Sequence, residues 1–313
     1  MPSPVIVNQI DEGFGRSLAA HPSAPRVIDH FDRERPWDLP QETEILVTRA
    51  FRSWAEAPQM VYPRLKWVQT FSAGIEIYPD WLMRDRVVTN GRGLTAPQIA
   101  EYVMAAMLLV EKDIFAARTT SLADWGTRVF GTLEDKTLGL IGFGAIGEAV
   151  AKRARAFDMR VLATRRGVWE KVPEGITPCA SAEEVMAGSD HVVLAMPHTP
   201  ETEAMVNDTL LSHAKPGLHL INVARGALVD QAALLRALDA GRLGKATLDV
   251  THPEPPRADD PIWTHPKVLL TPHESYKGGT AERARFEQKT LNNLSALIAS
   301  APLSDVVNLA RGY

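Results

Sequence analysis

Cysteine is almost absent from this chain: Cys179 is the only one among 313 residues. That excludes an intrachain disulfide and a cysteine metal cluster. Charge imbalance is also small, with 34 Lys and Arg against 38 Asp and Glu and a formal net charge of −4. No electrostatic footprint for nucleic acid or an anionic membrane follows from it. Long apolar runs are missing. The longest, 102–110, lies between Glu101 and Glu111 and falls far short of the roughly 20 residues that span a membrane. The opening Met-Pro-Ser-Pro lacks a basic region followed by an apolar core, so a cytoplasmic protein is expected. No repeat or low-complexity run appears. Apolar residues at 45% and charged residues at 23% describe a soluble globular chain, long enough for two domains.

The most informative segment is Leu140-Ile-Gly-Phe-Gly-Ala-Ile-Gly147, a G-x-G-x-x-G pattern. An apolar strand pattern precedes it, and a helical pattern runs from Ala145 toward Phe157. In a dinucleotide site Gly142 permits the tight turn, Gly144 lets the backbone approach a pyrophosphate, and Gly147 lets helix and strand pack closely. The helix start at Ala145 and Ile146 then offers unpaired N–H groups to the phosphates. A glycine-rich turn without a ligand is the alternative.

β-rich runs at 4–7, 26–28, 44–48, 65–69 and 86–89 predict a first, smaller α/β unit. Thr95-Ala-Pro-Gln98 reads as a capping box opening a helix to about residue 118. A second strand series follows at 138–143, 160–164, 191–196, 219–223, 246–250 and 268–271. Helical segments separate its members, among them a capping box at Ser181–Glu184 and a helix at 231–240. This alternation predicts a parallel, doubly wound sheet. A last helix, about 279–299, is expected to pack back on the first unit. The expected domains are therefore 1–95 plus 277–313, and 96–276, an α/β architecture of two Rossmann-like or flavodoxin-like units with the active site in the cleft between them.

Cofactor choice is read at the end of the second strand of the dinucleotide unit. NAD sites usually carry an acidic residue there, but this strand ends Thr164-Arg165-Arg166. A guanidinium fork binds a 2′-phosphate that a carboxylate would repel. NADP(H) is therefore favoured, with NAD(H) possible; two solvated surface arginines are the alternative.

Three strand ends converge on the same predicted sheet edge: Asn222-Val-Ala-Arg225-Gly226, Asp249-Val-Thr-His-Pro-Glu254-Pro255 and Leu270-Thr-Pro-His273. They offer a fixed cation, a carboxylate and an imidazole. Reduction of a 2-oxo acid needs all three. A cation holds the substrate carboxylate and polarises the carbonyl. Histidine suits proton donation near neutral pH, and a neighbouring carboxylate orients it.

From these motifs the chain resembles the D-isomer-specific 2-hydroxyacid dehydrogenase family. The resemblance rests on Ala100-Glu101, Gly142–Gly147, Pro197-His-Thr-Pro-Glu-Thr202 and the three strand-end motifs, and Phe71-Ser-Ala-Gly-Ile75 fits too. It covers about two-thirds of the chain, and the first 65 residues contribute little. It implies a catalytic triad of Arg225, Glu254 and His273, and carboxylate binding by backbone N–H groups of the Ser72, Ala73, Gly74 loop. It also implies cofactor contacts from Thr164, Met196, Pro197, Thr202, Val223, Ala224 and Asp249, with Asp249 near the nicotinamide amide. The two arginines and a chain ending at Arg311-Gly-Tyr313 look most like the NADP-dependent glyoxylate/hydroxypyruvate reductase branch. The substrate side-chain pocket is expected near Phe51 and Trp54, and a homodimer is the family expectation. Trp125 belongs either to an arm reaching a neighbouring subunit or to ordinary packing.

Glu274-Ser275-Tyr276 departs from the family's small or apolar residues there, and Glu76 stands where relatives often have aspartate. Glu274 either faces solvent or acts on the histidine. His198 and His252 are read as non-catalytic, and no metal site is expected. The expected activity is NADPH-preferring reduction of a small 2-oxo acid to the D-2-hydroxy acid. The alternatives are a dinucleotide-sensing scaffold of the same fold and a dehydrogenase of another small anion such as phosphite. An intact triad disfavours the scaffold. Glu254 disfavours formate chemistry, for which relatives usually carry glutamine.

Overall fold

A computed structural model describes residues 3–126, 128–278 and 280–309. The expectation attached to Arg311-Gly-Tyr313 lies outside the described residues. The chain forms two compact units, one of Met1–Leu94 with Gly279–Tyr313 and one of Thr95–Gly278.

Unit 1 is built on β1 (Val5–Asn8), β2 (Arg26–Asp29), β3 (Ile45–Thr48), β4 (Trp67–Thr70) and β5 (Val87–Thr89), all parallel, in the order β2-β1-β3-β4-β5. The central strands β1, β3 and β4 are buried along their whole length, as continuous apolar runs in a covered parallel sheet should be. Helix α1 (Glu12–Ala19) starts where the Asp11 carboxylate accepts the Phe14 N–H, a side-chain N-cap. The short α2 (Asp80–Met83) follows β4. The last helix in chain order, α8 (Ala281–Ile298), returns to this unit. Its Phe286 stacks on Phe14 at 5.3 Å and meets Phe71 edge-on at 4.8 Å.

Unit 2 opens with α3 (Ala96–Lys112). Its strands are β6 (Thr137–Ile141), β7 (Arg160–Thr164), β8 (Ile176–Pro178), β9 (His191–Leu194), β10 (Leu218–Asn222), β11 (Leu243–Leu248) and β12 (Val268–Leu270). They form a parallel sheet in the order β12-β11-β10-β9-β6-β7-β8. Between them lie α4 (Ala145–Arg155), α5 (Ala182–Gly188), α6 (Asp208–Ser212) and α7 (Gln231–Asp239). Strand order reverses between β6 and β9, and ligands bind at such a switch point, beyond the carboxyl ends of the strands. One core cluster joins α3, β6 and α4, and a second joins α5, α6 and α7 to the other face.

Several local expectations change. Thr95 is the N-cap of α3, but its side chain makes no capping bond, and Gln98 donates to the Gly278 carbonyl instead. The helix stops at Lys112 because Asp113 turns left-handed at φ 33°, well before residue 118. Ser181 does cap α5 through the Glu184 N–H, whereas the Glu184 carboxylate reaches back to Ala180 N rather than to Ser181 N. Strand β8 is absent from the sequence reading. It is three residues long and ends in proline, which only a sheet edge tolerates.

Candidate active site

The glycine loop sits at the switch point. Gly142 adopts φ 102°, and a Cβ there would lie 2.6 Å from Met196 N at the end of β9. At Gly147 a Cβ would fall 2.8 Å from the Gly142 carbonyl, so helix and strand touch through backbone. Around Gly144, by contrast, a Cβ would meet nothing within 4 Å. The residue nearest the helix start is thus bare on an open face, which is what close approach of a pyrophosphate to α4 requires. These residues fit a dinucleotide. The turn after β9 is fixed by Thr202, whose hydroxyl donates to the Pro197 carbonyl and accepts the Thr199 N–H. Val223 and Ala224 are buried at the end of β10.

Arg165 and Arg166 leave β7 just beyond Thr164. The Arg165 guanidinium lies 5.4 Å over the Trp169 ring, and Trp169 packs on Phe143 of the glycine loop at 5.1 Å. Arg165 is thereby tied to the glycine loop through two aromatic rings, a link the sequence reading missed. Its only signal was a tryptophan four residues past the arginine. Arg166 pairs with Glu201 at 3.4 Å.

The three strand-end motifs build the opposite part of the edge. Asn222 shapes the first, donating to the Arg225 carbonyl and accepting the Ala224 N–H. Arg225 Nη1 donates to the Ala224 carbonyl. The following Gly226 has no room for a side chain, because a Cβ would lie 2.0 Å from Thr251 backbone. In the second motif the His252–Pro253 and Glu254–Pro255 bonds are cis. Glu254 Oε1 lies 2.7 Å from His273 Nδ1, and both side chains are partly exposed.

His273 itself is left-handed, at φ 53°, an uncommon backbone state for a non-glycine residue. Asp249 holds it there. The Asp249 carbonyl accepts the His273 N–H, while the carboxylate accepts the Thr271 hydroxyl and the N–H groups of Glu274 and Ser275. Tyr102 adds its hydroxyl to Thr271 Oγ1 at 2.7 Å. Asp249 is 1% exposed, so the residue expected beside the nicotinamide has its carboxylate committed to the histidine turn. Glu274 turns to Lys277 at 2.5 Å. His252 is exposed and His198 half-buried. Among the described residues no cluster of three His, Cys, Asp or Glu side chains could hold a metal.

The proposed carboxylate loop of unit 1 follows β4. Its carbonyls are all engaged: Ser72 by Gly91 N and Thr70 Oγ1, Ala73 by Asn90 Nδ2, Gly74 by Ser72 Oγ. The N–H groups of Ala73 and Gly74 donate to nothing among the described residues. Trp54 does not line a substrate pocket. It is fully buried in the unit 1 core and donates to Thr48. Phe51 does face a cavity. Trp125 is 80% exposed, which removes the ordinary-packing reading within this chain.

The profile of the family described as D-isomer specific 2-hydroxyacid dehydrogenase, NAD binding domain, matches residues 104–275. D-3-phosphoglycerate dehydrogenase of Archaeoglobus fulgidus is 34% identical over 233 residues, 73% of this chain and 42% of that protein. Glyoxylate/hydroxypyruvate reductase A of Serratia proteamaculans is 38% identical over 183 residues, 56% of each. The matched stretch spans about half the length of these curated relatives. Among solved structures, an NADPH-dependent glyoxylate/hydroxypyruvate reductase from Sinorhizobium meliloti, in complex with NADP and sulfate, shares a TM-score of 0.78 at 25% identity, covering 99% of this chain and 100% of that one.

Proposed function

Because this chain belongs to the D-isomer-specific 2-hydroxyacid dehydrogenase family, we propose that it reduces a small 2-oxo acid, of the glyoxylate or hydroxypyruvate kind, with NADPH preferred over NADH. The observation that carries this reading is the 2.7 Å contact between Glu254 and His273 Nδ1 on the sheet edge that also bears Arg225 and the glycine loop. When bound, the dinucleotide supplies the hydride.

The chain's own groups do the rest. Glu254 accepts the Nδ1 proton of His273, which fixes the ring and leaves Nε2 as the donating atom. As C2 of the substrate is reduced, His273 Nε2 gives its proton to the carbonyl oxygen, and the product is the D-2-hydroxy acid. Arg225, braced against the Ala224 carbonyl, holds the substrate carboxylate and draws charge toward the developing alkoxide. In unit 1 the Ala73 and Gly74 N–H groups are offered to a substrate carboxylate. Asp249 and Thr271 keep His273 in its left-handed turn.

NADP preference is supported by Arg165 on its Trp169 platform and by the NADPH-dependent relative. Unit 1 serves as the substrate-binding unit and unit 2 as the dinucleotide unit, in a homodimer. The exposed apolar side chains Ile114, Phe115, Leu122, Trp125 and Val129 favour burial against a second copy. Light scattering on the purified chain tests the dimer; a monomer mass at micromolar concentration contradicts it. NADPH oxidation with glyoxylate and hydroxypyruvate tests the activity.

A further inference from the structure

Helix α3 carries a tyrosine to which the chemistry above gives no role. Tyr102 packs its ring on the core cluster of α3, β6 and α4, and its hydroxyl lies 2.7 Å from Thr271 Oγ1, 169 residues on. The direction of that bond follows from the next one. Thr271 Oγ1 is 2.6 Å from Asp249 Oδ1, and a carboxylate oxygen only accepts, so the one hydroxyl proton of Thr271 goes to Asp249. Tyr102 is therefore the donor in its own bond. Burial pushes the phenol pKa up from its usual value, so that proton stays in place across the neutral range.

Through Thr271 this chain of bonds reaches the histidine. The Thr271 carbonyl accepts the His273 N–H at 3.0 Å, beside the Asp249 carbonyl at 2.8 Å. The Asp249 carboxylate takes the N–H groups of Glu274 and Ser275 at 2.9 and 3.0 Å. Hydrogen bonds in series polarise one another, so the Tyr102 hydroxyl bears on the residue that fixes three consecutive peptides. One turn earlier, on the same face of the helix, Gln98 donates to the Gly278 carbonyl at 3.1 Å. Helix α3 thus holds the 271–278 segment at both ends. Between them stands His273 at φ 53°, a backbone state that persists only where its surroundings impose it.

We propose that Tyr102 is a positioning residue for His273: through Thr271 and Asp249 its hydroxyl sets the turn that aims the imidazole at the reacting carbonyl. This rests on the dehydrogenase reading and adds a residue to it. Tyr102 acts through its two partners and is assigned no contact with substrate or cofactor. Its loss is therefore felt in the geometry of proton transfer and not in binding.

The test compares wild type with Y102F, T271V, T271S and Y102F/T271V in the full chain, with NADPH and glyoxylate. Y102F removes one oxygen and leaves the ring in the core, and thermal unfolding checks that the fold is kept. Its kcat is expected to fall roughly 3- to 10-fold, the worth of one hydrogen bond, with KM and the NADPH dissociation constant unchanged. T271V should lose more, and T271S should restore most of that loss. Y102F/T271V should be no slower than T271V, since both substitutions act along one chain of bonds. A merely structural tyrosine would move the unfolding temperature and leave kcat alone. Wild-type kcat in Y102F, a rise in KM alone, or losses that multiply in the double variant overturn the proposal. If Y102F does not fold, T271V against T271S carries the test, and equal kcat in the two overturns it. If no 2-oxo acid is turned over, the dehydrogenase reading fails separately, and amide hydrogen exchange still decides the role of Tyr102. Faster exchange in Y102F confined to residues 273–275 upholds it; exchange unchanged there, or raised equally throughout unit 2, overturns it.

Discussion

At the carboxyl edge of the unit 2 sheet the candidate groups are charged side chains held by other side chains; in unit 1 they are peptide N–H groups of the Ser72–Gly74 loop. Glu254 grips His273 directly, and Asp249, buried at the centre of the turn, fixes the backbone of 273–275. In the Ser72–Gly74 loop the carbonyls are tied down, while the Ala73 and Gly74 N–H groups donate to nothing among the described residues. On the proposed reading the first arrangement moves a proton and must fix the orientation of one ring. On the same reading the second recognises an anion, for which uncommitted N–H groups suffice. The proposal thus gives chemistry and recognition to different sheets, and each can be broken separately.

The largest effect is expected at the proposed proton donor. His273→Ala should lower kcat on the order of 10²–10⁴-fold with little change in dinucleotide affinity. Near-wild-type kcat at pH 7 removes His273 from the mechanism. Asp249→Asn replaces an acceptor of three hydrogen bonds with an amide that sets a donor against peptide N–H groups. Leaving such a buried group unsatisfied costs about 1–3 kcal/mol, and kcat should fall well before KM rises. A rise in KM alone would mean that Asp249 acts on binding and not on the histidine.

On the cofactor side, R165D combined with R166S should weaken NADPH roughly 10- to 100-fold more than NADH, the worth of one or two charge-assisted bonds. Measured dissociation constants with an unchanged NADPH/NADH ratio would dismiss the arginines as a phosphate clamp.

The smallest effect concerns stability. In unit 2, His191 and His219 face each other in the core with Nδ1 atoms 3.1 Å apart, and His219 Nε2 lies 2.8 Å from Thr247 Oγ1. Burial pushes His191 down to about 4 and His219 to about 3, against about 6.5 in an unfolded chain. Below pH 6.5 the unfolded state therefore binds more protons than the folded one, so stability falls as pH drops from about 6.5 toward 4 and levels below the folded values. His219→Gln should flatten this slope in denaturant titrations, and an unchanged slope would place acid sensitivity elsewhere.

Much of this molecule was legible in its sequence. The strands of both sheets are apolar runs bounded by turn residues, and in the glycine loop Gly142 and Gly147 have steric reasons to be glycine while Gly144 leaves an open face. What stayed hidden depends on contacts remote in sequence. Trp54 resembled a pocket residue until the core around it was seen. Asp249 matched a motif whose carboxylate proves to be used by the chain itself. The helix end at Asp113 escaped notice because no proline or glycine marks it.

The central claim is tested most directly by following NADPH and NADH oxidation in parallel with glyoxylate, hydroxypyruvate and 2-oxoglutarate, wild type beside His273→Ala. Turnover that favours NADPH and collapses in the variant is the predicted result. Tight dinucleotide binding with no oxidation by any of these acids would contradict it and leave a protein that binds the cofactor without using it on them.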